Sequence, residues 1–442
     1  MGAEPKIPLR RTMGLTHATA MVVGIIIGAS IFVQPSEITS RVPSVSGVFL
    51  VWLISGILTF FGALVCAELA SIFTRSGGVY VYLKEAFSPS VGFLWGWAML
   101  WTMHSGIIAA VAVIFARYLA YFIPMSPALV KVTAIVVILI LSAINLRGVK
   151  QGSTLQTLIT LGKVAAIVLI IVLGFALGSR APEHFVSSSA AVQGITFNGF
   201  LLALVAGLFA FGGWHMVTYS SEETKDPRKT IPRALMLGTL IVTLCYIAMN
   251  AVYMYILPLD RVASSTRIAA DAADALVGFG GGAVMSALVV FSTFGALNGI
   301  ILSGPRVYYA MAQDGLMFRW AGHVHRRYQT PHKAILLQTV WSSILVATGT
   351  YRALFTRVVY TEWIFFGMMA IGLILLRRRP GLNRGYKIWG YPIVPLVFAA
   401  SSFTIVINQI LSDPRESLFG LMLVMIGLPV YHVWIKQSKK GD

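Results

Sequence analysis

The sequence predicts an all-α membrane protein with about twelve transmembrane helices. Two observations lead to this fold class. Hydrophobic residues make up 57% of the 442-residue chain and charged residues only 11%, which gives a mean hydropathy of +0.80. Apolar runs long enough to cross a bilayer also recur along the whole chain, with short polar loops between them. The lipid bilayer is therefore the first partner that we expect.

The apolar runs divide into spans of about 20 residues or more. Those of the first half cover residues 14–40, 46–72, 90–122, 127–146, 154–178 and 197–221. Those of the second half cover residues 233–256, 279–313, 333–350, 358–376, 391–411 and 417–435. An even number of spans places both chain termini on the same side of the membrane.

The basic residues indicate which side that is. The net charge is +18, and most basic residues fall in loops on the side of the termini, as in Lys225–Arg233 and Arg377–Arg379. By the positive-inside rule, the tails 1–13 and 436–442 are cytoplasmic, and we expect the chain in the cell (plasma) membrane. A nucleic-acid-binding domain would gather its basic residues on one solvated face, so we expect no nucleic acid partner.

Motifs of enzymes are missing from the sequence. It contains no H-E-x-x-H, G-x-S-x-G or P-loop pattern. The only cysteines, Cys66 and Cys245, lie in apolar runs and form no C-x-x-C motif. We therefore expect no enzymatic activity, no catalytic residue, no cofactor and no metal.

Small residues interrupt two of the spans near their middle. The first span contains Gly24-Ile-Ile-Ile-Gly28-Ala29-Ser30, and the sixth contains Phe209-Ala-Phe-Gly212-Gly213-Trp214. Backbone without helical hydrogen bonds is tolerated inside a bilayer only where it is buried in protein or lines a cavity. Breaks at corresponding positions of two halves are typical of transporters and mark the substrate site.

The broken helices also indicate the chemistry of the ligand. A helix that restarts inside the membrane exposes N–H groups and the positive end of its dipole, which suit a carboxylate. A helix that stops there exposes carbonyl oxygens, which suit an ammonium group or Na⁺. An α-amino acid carries both groups on one carbon and matches both features. A channel is a remote alternative, because channels usually have filter loops or rings of charge from several subunits.

These segments belong to a set of motifs that covers the chain almost from end to end. Gly24–Phe32 resembles G-x-x-I-G-S-G-I-F, with Ala29 and Ser30 in place of Ser and Gly, and Glu222–Ala234 resembles E-E-x-K-N-P-x-R-x-I-P-x-A. Further matches lie at Gly62–Leu69, Ser76–Tyr80, Phe209–Trp214, Phe294–Gly299 and Gln313–Gly315. The chain resembles the amino acid–polyamine–organocation (APC) superfamily, and within it the bacterial branch related to the L-type amino acid transporters.

The resemblance implies the fold of the leucine transporter, a 5+5 inverted repeat in which helices 1 and 6 are discontinuous. The first repeat would cover residues 14–178 and the second residues 197–376, followed by two more helices in residues 391–435. Transport would proceed by alternating access around a site near the middle of the membrane.

The resemblance also assigns residues to the substrate. Its carboxylate would be bound by backbone N–H groups around Gly28, Ala29 and Ser30, and its ammonium group by the carbonyls of Ile26, Phe209 and Gly212. The ring of Phe209 would act as the outer gate. Ser30 adds a side chain where the family has glycine, so that it either hydrogen-bonds the carboxylate or narrows the pocket.

Histidine, tyrosine and glutamate side chains complete the predicted site. His215 would either touch the substrate side chain or pack within the protein, and His104 and Tyr246 resemble positions that face the pocket. A gate network on the cytoplasmic side, with nearby Arg or Lys, would contain Glu68, Glu222 and Glu223.

Lys163 is an ionisable residue inside an apolar run, which is a functional hypothesis by default. The alternative is that its ammonium group reaches the membrane interface. Relatives have a lysine at this position, where sodium-coupled members of the superfamily bind a sodium ion. The resemblance therefore implies that transport does not require sodium. Whether Lys163 also releases a proton stays open.

The function that we expect is sodium-independent exchange of neutral L-amino acids. No Asp or Glu lies in the central part of the first, third, sixth or eighth span, where a cationic substrate would need a partner. The alternatives are a proton-coupled amino acid symporter and a carrier of cationic amino acids or polyamines. The loop Pro124–Leu129 lacks the cysteine that joins mammalian relatives to a heavy chain, so we expect no covalent heavy-chain subunit.

Overall fold

The computed structural model describes residues 9–178, 196–278, 280–349 and 351–438, without the side chains of 351–359 and 437–438. Residues 1–8 of the predicted N-terminal tail and 439–442 of the predicted C-terminal tail lie outside this part. Within it the chain is almost entirely helical, and its only extended pairing is a single bridge between Met13 and Thr224. The prediction of an all-α membrane protein is confirmed.

The first described segment, residues 9–178, forms eight helices. They are α1 (Leu15–Ile26), α2 (Gln34–Arg41), α3 (Val45–Ile72), α4 (Val79–Ala86), α5 (Pro89–Ala98), α6 (His104–Leu119), α7 (Pro127–Leu146) and α8 (Val149–Leu177). A short 3-10 turn, Ser30–Phe32, lies between α1 and α2, and a π-helical turn, Met99–Met103, joins α5 to α6.

The described part of the second half forms eleven helices and two 3-10 segments. The helices are α9 (Phe197–Ala210), α10 (Pro227–Ile256), α11 (Leu259–Ser264), α12 (Ile268–Val277), α13 (Gly281–Ser303), α14 (Pro305–Gln313), α15 (His332–Thr348), α16 (Tyr351–Arg377), α17 (Ile393–Ser412), α18 (Pro414–Met425) and α19 (Gly427–Ser438). The 3-10 segments are Trp214–Glu223, which continues α9 after a break, and Arg319–Gly322.

Eleven segments of the described chain are long and apolar enough to cross a membrane. Each segment matches a predicted span, although the ends differ by several residues in places. The fifth span, which is helix α8, begins at Val149 instead of residue 154. The predicted ninth span, 333–350, corresponds to α15, which has 17 residues. A helix of that length rises only about 25 Å, near the lower limit for crossing the hydrocarbon core.

The interrupted helix α1 lies at the centre of the bundle. It packs against α8, α10 and α13, and the 3-10 segment Trp214–Glu223 packs against α1, α3, α10 and α13. The residues of α1 from Ala20 to Ile26 are all buried. The two breaks in the backbone are therefore enclosed by other helices rather than exposed to lipid, as backbone groups without helical partners require.

Candidate functional site

The first break leaves a row of carbonyl oxygens without helical partners. Helix α1 ends at Ile26, and the N–H of Gly28 turns back to the Ile26 carbonyl instead of continuing the helix. The carbonyls of Gly24, Ile27 and Gly28 are therefore available to side chains of other helices. Buried carbonyls need such partners, because an unmet buried acceptor costs about 1–3 kcal/mol.

Lys163 supplies two of these partners. Its Nζ donates to the carbonyls of Gly24 and Ile27, both at 2.8 Å, and the side chain is only 1% exposed. The hydroxyl of Ser292 on α13 approaches the carbonyls of Ile27 and Gly28 at 3.2 and 3.1 Å. The ammonium group therefore does not reach a membrane interface. It lies at the end of the first half-helix, where a cation is stabilised by carbonyl oxygens and the helix dipole.

On the other side of the first break the backbone offers donors. Within the described chain, the N–H groups of Ala29, Ser30 and Ile31 have no hydrogen-bond partner. The 3-10 turn Ser30–Phe32 and then α2 continue from this point. Free N–H groups at the start of a helical segment form an anion-binding arrangement.

The second break resembles the first, with a helix end on one side and N–H groups without partners in the described chain on the other. Helix α9 ends at Ala210, and the N–H of Gly212 turns back to the Phe209 carbonyl at 2.9 Å. Gly213 has φ +95°, a left-handed conformation that favours glycine. The next helical segment begins at Trp214, and no partner for the N–H groups of Gly213 and Trp214 is found in the described residues.

Tyr246 joins the two breaks. Its hydroxyl lies 2.9 Å from the carbonyl of Ile26 and 3.0 Å from that of Ala210, the last residues of α1 and α9. A phenol has one hydrogen, so it donates to one of these carbonyls at a time or is shared between them. The ring is buried against Trp52 and Phe211, at 5.4 and 5.0 Å between ring centroids. Tyr246 therefore fixes the distance between the two half-helix ends.

A cavity of about 50 Å³ lies between the breaks, where a single water molecule requires about 10–15 Å³. Its walls come from the two breaks, from one face of α6 and from α13. The lining residues are Ile25, Ile26, Gly28, Ala29, Ser30, Gly106, Ile107, Ala110, Val111, Ile114, Phe209, Gly212, Gly213, Met216, Ala296 and Ile300. The wall is thus apolar apart from its backbone groups and one serine, and it carries no charged side chain among these residues.

The structure brings most of the predicted substrate residues together at this cavity. Six of them line it, namely Ile26, Gly28, Ala29, Ser30, Phe209 and Gly212. Tyr246 and Lys163 stand behind the wall, where they hydrogen-bond the carbonyls of the breaks. Their predicted roles in transport stay predictions.

The two predicted histidines do not line the cavity. His104 donates from Nε2 to the carbonyl of Ile300 at 2.9 Å, which ties the start of α6 to α13. His215 is enclosed by the rings of Trp95, Trp214, Tyr219 and Phe366 at centroid distances of 4.8–5.9 Å. In this arrangement both imidazoles pack within the protein, which for His215 is the alternative that the sequence left open.

A buried ion pair lies beside the segment around Met13, near the start of the described chain. Glu223 accepts two hydrogen bonds from Arg306, both at 2.9 Å, and both side chains are 0% exposed. The chain around Met13 covers the pair, because the N–H groups of Thr12 and Met13 donate to the Glu223 carbonyl. Two parallel hydrogen bonds fix the geometry of a carboxylate and a guanidinium group. We call this side of the molecule the N-terminal face.

Glu68 forms a second ion pair at the N-terminal face. It accepts hydrogen bonds from Nε and Nη2 of Arg377 at 2.8 and 2.5 Å and from the N–H of Ile388 at 2.8 Å. The guanidinium group also stacks on the ring of Tyr391, with Cζ 3.8 Å from its centroid. Glu222 accepts a hydrogen bond from the backbone N–H of Ser76 at 3.1 Å, and the charges of Arg75 and Arg11 act on its carboxylate. The predicted role of the three glutamates in a gate stays a prediction.

Comparison with known proteins decides the family. The profile of the amino acid permease family matches residues 13–430, which is nearly the whole chain. The chain belongs to the amino acid permease family. The predicted relationship to the APC superfamily and its L-type branch is confirmed, and amino acid transport is the function of this class of protein.

Curated relatives of this amino acid permease cover it almost completely. The serine/threonine exchanger SteT of Bacillus subtilis (strain 168) is 33% identical over 428 residues, 96% of this chain and 97% of that protein. The human b(0,+)-type amino acid transporter 1 is 30% identical over 441 residues, 98% of this chain and 90% of that protein. The human cystine/glutamate transporter is 28% identical over 443 residues, 99% of this chain and 88% of that protein.

Sequence reasoning missed part of the permease's cavity. The wall formed by Gly106, Ala110 and Ala296 consists of small residues, and small residues in membrane helices usually indicate close helix packing. The spacing of four between Gly106 and Ala110 puts both on one face of α6 and is the signal that was available. Ser292 was missed as well, because a serine in an apolar helix commonly bonds its own backbone.

Proposed function

We propose that this permease is a sodium-independent exchanger of small neutral L-amino acids that binds its substrate between the two backbone breaks. The observation that carries the proposal is the row of N–H groups without partners in the described chain at the first break, facing the carbonyl oxygens at the ends of both half-helices, around a cavity whose lining residues include no charged side chain. A carbonyl oxygen that already accepts one hydrogen bond has a second lone pair for the ligand. The α-carboxylate would accept from the N–H groups around Gly28, Ala29 and Ser30. The α-ammonium group would donate to the carbonyls of Phe209 and Gly212 and, beside Tyr246, to that of Ile26.

Sodium independence follows from the contacts of Lys163. Carbonyl oxygens at the end of a half-helix are the ligands that such folds offer to Na⁺. Here the ammonium group already contacts two of them, the carbonyls of Gly24 and Ile27. We infer that the fixed charge of Lys163 replaces the ion, so that binding at this place needs no sodium from solution.

The preference for small neutral substrates rests on the cavity wall. A cationic side chain would lose its hydration without gaining a carboxylate, which is unfavourable in an apolar site. The small volume of about 50 Å³ favours a short side chain. That a relative covering the same length is a serine/threonine exchanger supports the same substrate class.

Several further properties belong to the proposal. The chain would cross the cell (plasma) membrane twelve times as two inverted repeats, 14–178 and 197–376, plus residues 391–435. Both termini would be cytoplasmic, and the N-terminal face with its ion pairs of Glu68 and Glu223 would form the cytoplasmic gate. We expect the protein to act without a covalent heavy chain, without a cofactor and without enzymatic activity.

Exchange by the purified protein in proteoliposomes tests the function. Uptake of radiolabelled serine should saturate, should require unlabelled amino acid inside the vesicles, and should be the same with sodium or choline outside. A panel of unlabelled competitors should place small neutral amino acids first and lysine or polyamines last.

The other candidate mechanisms predict different results. Uptake into vesicles without internal amino acid that is driven by an acidic exterior would contradict exchange and indicate a proton-coupled symporter. Flux that rises linearly with concentration would indicate a channel. Vesicles with the variant Gly212→Leu, which fills the cavity wall, serve as the matched control for non-specific flux.

A further inference from the structure

We propose that a second cavity, outside the substrate cavity, is a docking site for the carboxylate of the incoming amino acid. This inference rests on the proposed function. The cavity has a volume of about 410 Å³ and is bounded by the end of α6, the segment between α11 and α12, and α13. We call it the outer vestibule, and the residues that carry the argument are Ile114, Arg117, Tyr118, Arg267 and Ser286.

The outer vestibule lies next to the substrate cavity on the route away from the N-terminal face. Ile114 lines both cavities, so a single side chain belongs to the wall between them. Val33, which follows the 3-10 turn of the first break, also lines the outer vestibule. A solute that enters from this side therefore reaches the outer vestibule before it reaches the free N–H groups at Ser30.

The charge of the outer vestibule comes from two arginines on different elements. Arg117 lies near the end of α6 and Arg267 directly before α12, and no carboxylate is among the described lining residues. The two carboxylates of α12 are engaged elsewhere, since Asp271 accepts from the Ser265 hydroxyl and Asp274 from the N–H of Gly282. In the described chain neither guanidinium group forms an ion pair, and that of Arg267 lies with Cζ 5.9 Å from the centroid of the Tyr121 ring, which also lines the outer vestibule. Both groups can therefore donate hydrogen bonds to an anion.

A neutral donor supplements the arginines. Ser286 on α13 is 1% exposed and lines the outer vestibule, yet its hydroxyl has no hydrogen-bond partner in the described chain. A buried hydroxyl without a partner costs free energy, and native proteins leave few of them unsatisfied. A carboxylate oxygen that accepts from Ser286 while the guanidinium groups hold its charge would satisfy it.

The chemistry of the two cavities differs in a way that suits sequential binding. A guanidinium group binds a carboxylate through short-range, charge-assisted hydrogen bonds, and this holds for the carboxylate of a zwitterion although the net charge of the molecule is zero. The substrate cavity offers the carboxylate backbone N–H groups and one serine, Ser30, but no charged side chain among its lining residues. The outer vestibule would therefore hold the substrate by its carboxylate, and the inner site would select it by shape and by the α-ammonium group.

Transport measured from each side of the membrane tests the proposal. In intact cells that express the protein, the variant Arg117→Gln/Arg267→Gln should raise the KM for uptake of labelled serine about 3- to 10-fold while the maximal rate is retained. The KM for efflux from preloaded cells should stay unchanged. High ionic strength should raise the uptake KM of the wild type and have little effect on the variant. The variant Ser286→Ala should raise the uptake KM by a smaller factor.

Two variants serve as controls. Arg261→Gln removes an arginine of α11 that is exposed but does not line the outer vestibule, and its uptake KM should equal that of the wild type. Arg117→Lys/Arg267→Lys retains the charges and should keep the salt dependence. Exchange by the wild type together with an unchanged uptake KM in the Gln variant would overturn this inference alone. Absence of saturable exchange by the wild type would overturn the proposed function as well.

Discussion

At the scale of single residues, Lys163 connects the local backbone to the mechanism. Its ammonium group holds the carbonyls of Gly24 and Ile27 at 2.8 Å, and the added Ser292 hydroxyl completes the set of contacts at this end of α1. A charged amine inside the membrane is costly unless it is paired. The contacts with carbonyls compensate for that cost and at the same time fix the end of the half-helix.

Replacing Lys163 should therefore damage transport more than membrane insertion. The variant Lys163→Met leaves the buried carbonyl of Gly24 without its donor, at about 1–3 kcal/mol, and leaves that of Ile27 with the Ser292 hydroxyl alone. We expect the exchange rate to fall at least about tenfold. Expression and the elution profile in detergent should be retained. Lys131→Met is the matched control, because Lys131 also donates to a carbonyl, that of Ala347, but at an exposed position. Equal exchange rates for wild type and Lys163→Met would remove Lys163 from the mechanism.

Tyr246 allows a finer test, because a single atom can be removed. The variant Tyr246→Phe keeps the ring contacts with Trp52 and Phe211 but loses the hydroxyl between the carbonyls of Ile26 and Ala210. A net hydrogen bond contributes about 0.5–1.5 kcal/mol, so exchange should slow about 2- to 10-fold. Tyr253→Phe on the same helix is the control, since the Tyr253 hydroxyl has no partner in the described chain. A similar effect of both variants would argue against the bridging role.

The residues of the site were predictable to different extents. Lys163 was conspicuous as a charge in an apolar run, but its acceptors could be seen only once α8 lay beside α1. Ser292 could not be distinguished from its neighbour Thr293 by sequence. The Thr293 hydroxyl donates to its own helix at Val289, whereas that of Ser292 approaches another helix, and only packing separates the two cases.

At the scale of elements, glycines at and around the two breaks are needed for two different reasons, a left-handed backbone and close helix packing. Gly213 adopts φ +95°, and a Cβ placed there would lie 2.4 Å from Cγ2 of Ile25 on α1. Gly24 and Gly299 instead allow close packing of helices, because a Cβ would meet Thr160 or Ile25. The second break is therefore held in its conformation by direct contact with the first half-helix.

A pair of glycine variants separates backbone strain from this contact. Gly213→Ala combines a left-handed backbone with a collision against α1, whereas Gly315→Ala has φ +72° and open space around the added Cβ. Strain alone costs about 1–2 kcal/mol, so Gly315→Ala should lower the unfolding temperature slightly and leave exchange intact. Gly213→Ala should lower it further and abolish exchange. The same behaviour of both variants in thermal unfolding and exchange assays would contradict direct coupling of the breaks.

The pattern of small residues in apolar runs was sufficient to predict where the helices break. It could not predict the π-helical turn Met99–Met103, because these residues follow the same apolar periodicity as an ordinary helix. The interruption at Gly304, between α13 and α14, and that at Ile426, between α18 and α19, were also hidden within long apolar runs.

At the scale of the whole molecule, the N-terminal face is held together by charge. Asp314 accepts hydrogen bonds from Arg75 at 3.0 Å, Tyr80 at 2.7 Å and Lys84 at 2.9 Å. These contacts join the loop after α14 to α4 and to the loop before α4, which contains Arg75. Partial burial by itself would raise the pKa of Asp314, but the hydrogen bonds from Lys84 and Tyr80 and the nearby charges hold it below its ordinary value.

The lowered pKa of Asp314 implies a stability that depends on pH. The native pKa lies below that of the unfolded chain, so this contribution is complete above the ordinary carboxyl pKa and is lost as the pH falls through the lowered native value. Asp314→Asn should lower the unfolding temperature at pH 7, and the difference from wild type should narrow as the pH falls toward about 3. Asp260→Asn, at an exposed position on α11, is the control. A difference that does not change with pH would contradict this assignment.

The side on which basic residues accumulate could be predicted from the sequence, but their partners could not. Glu223 and Arg306 are 83 residues apart in the chain, and many other arginines were available to Glu223. Which pair forms depends on the packing of the 3-10 segment against α13 and α14. Glu222, next to Glu223, points to the backbone of Ser76 instead.

The central claim is that the two breaks together bind the two α-groups of an amino acid. Equilibrium binding of radiolabelled serine to the purified protein in sodium-free buffer tests it most directly, with competition by serine, by an analogue without the α-carboxylate and by an analogue without the α-ammonium group. We predict that serine competes fully and that each analogue binds at least about tenfold more weakly, since charge-assisted hydrogen bonds contribute about 1.5–3 kcal/mol. Equal competition by either analogue would contradict the claim.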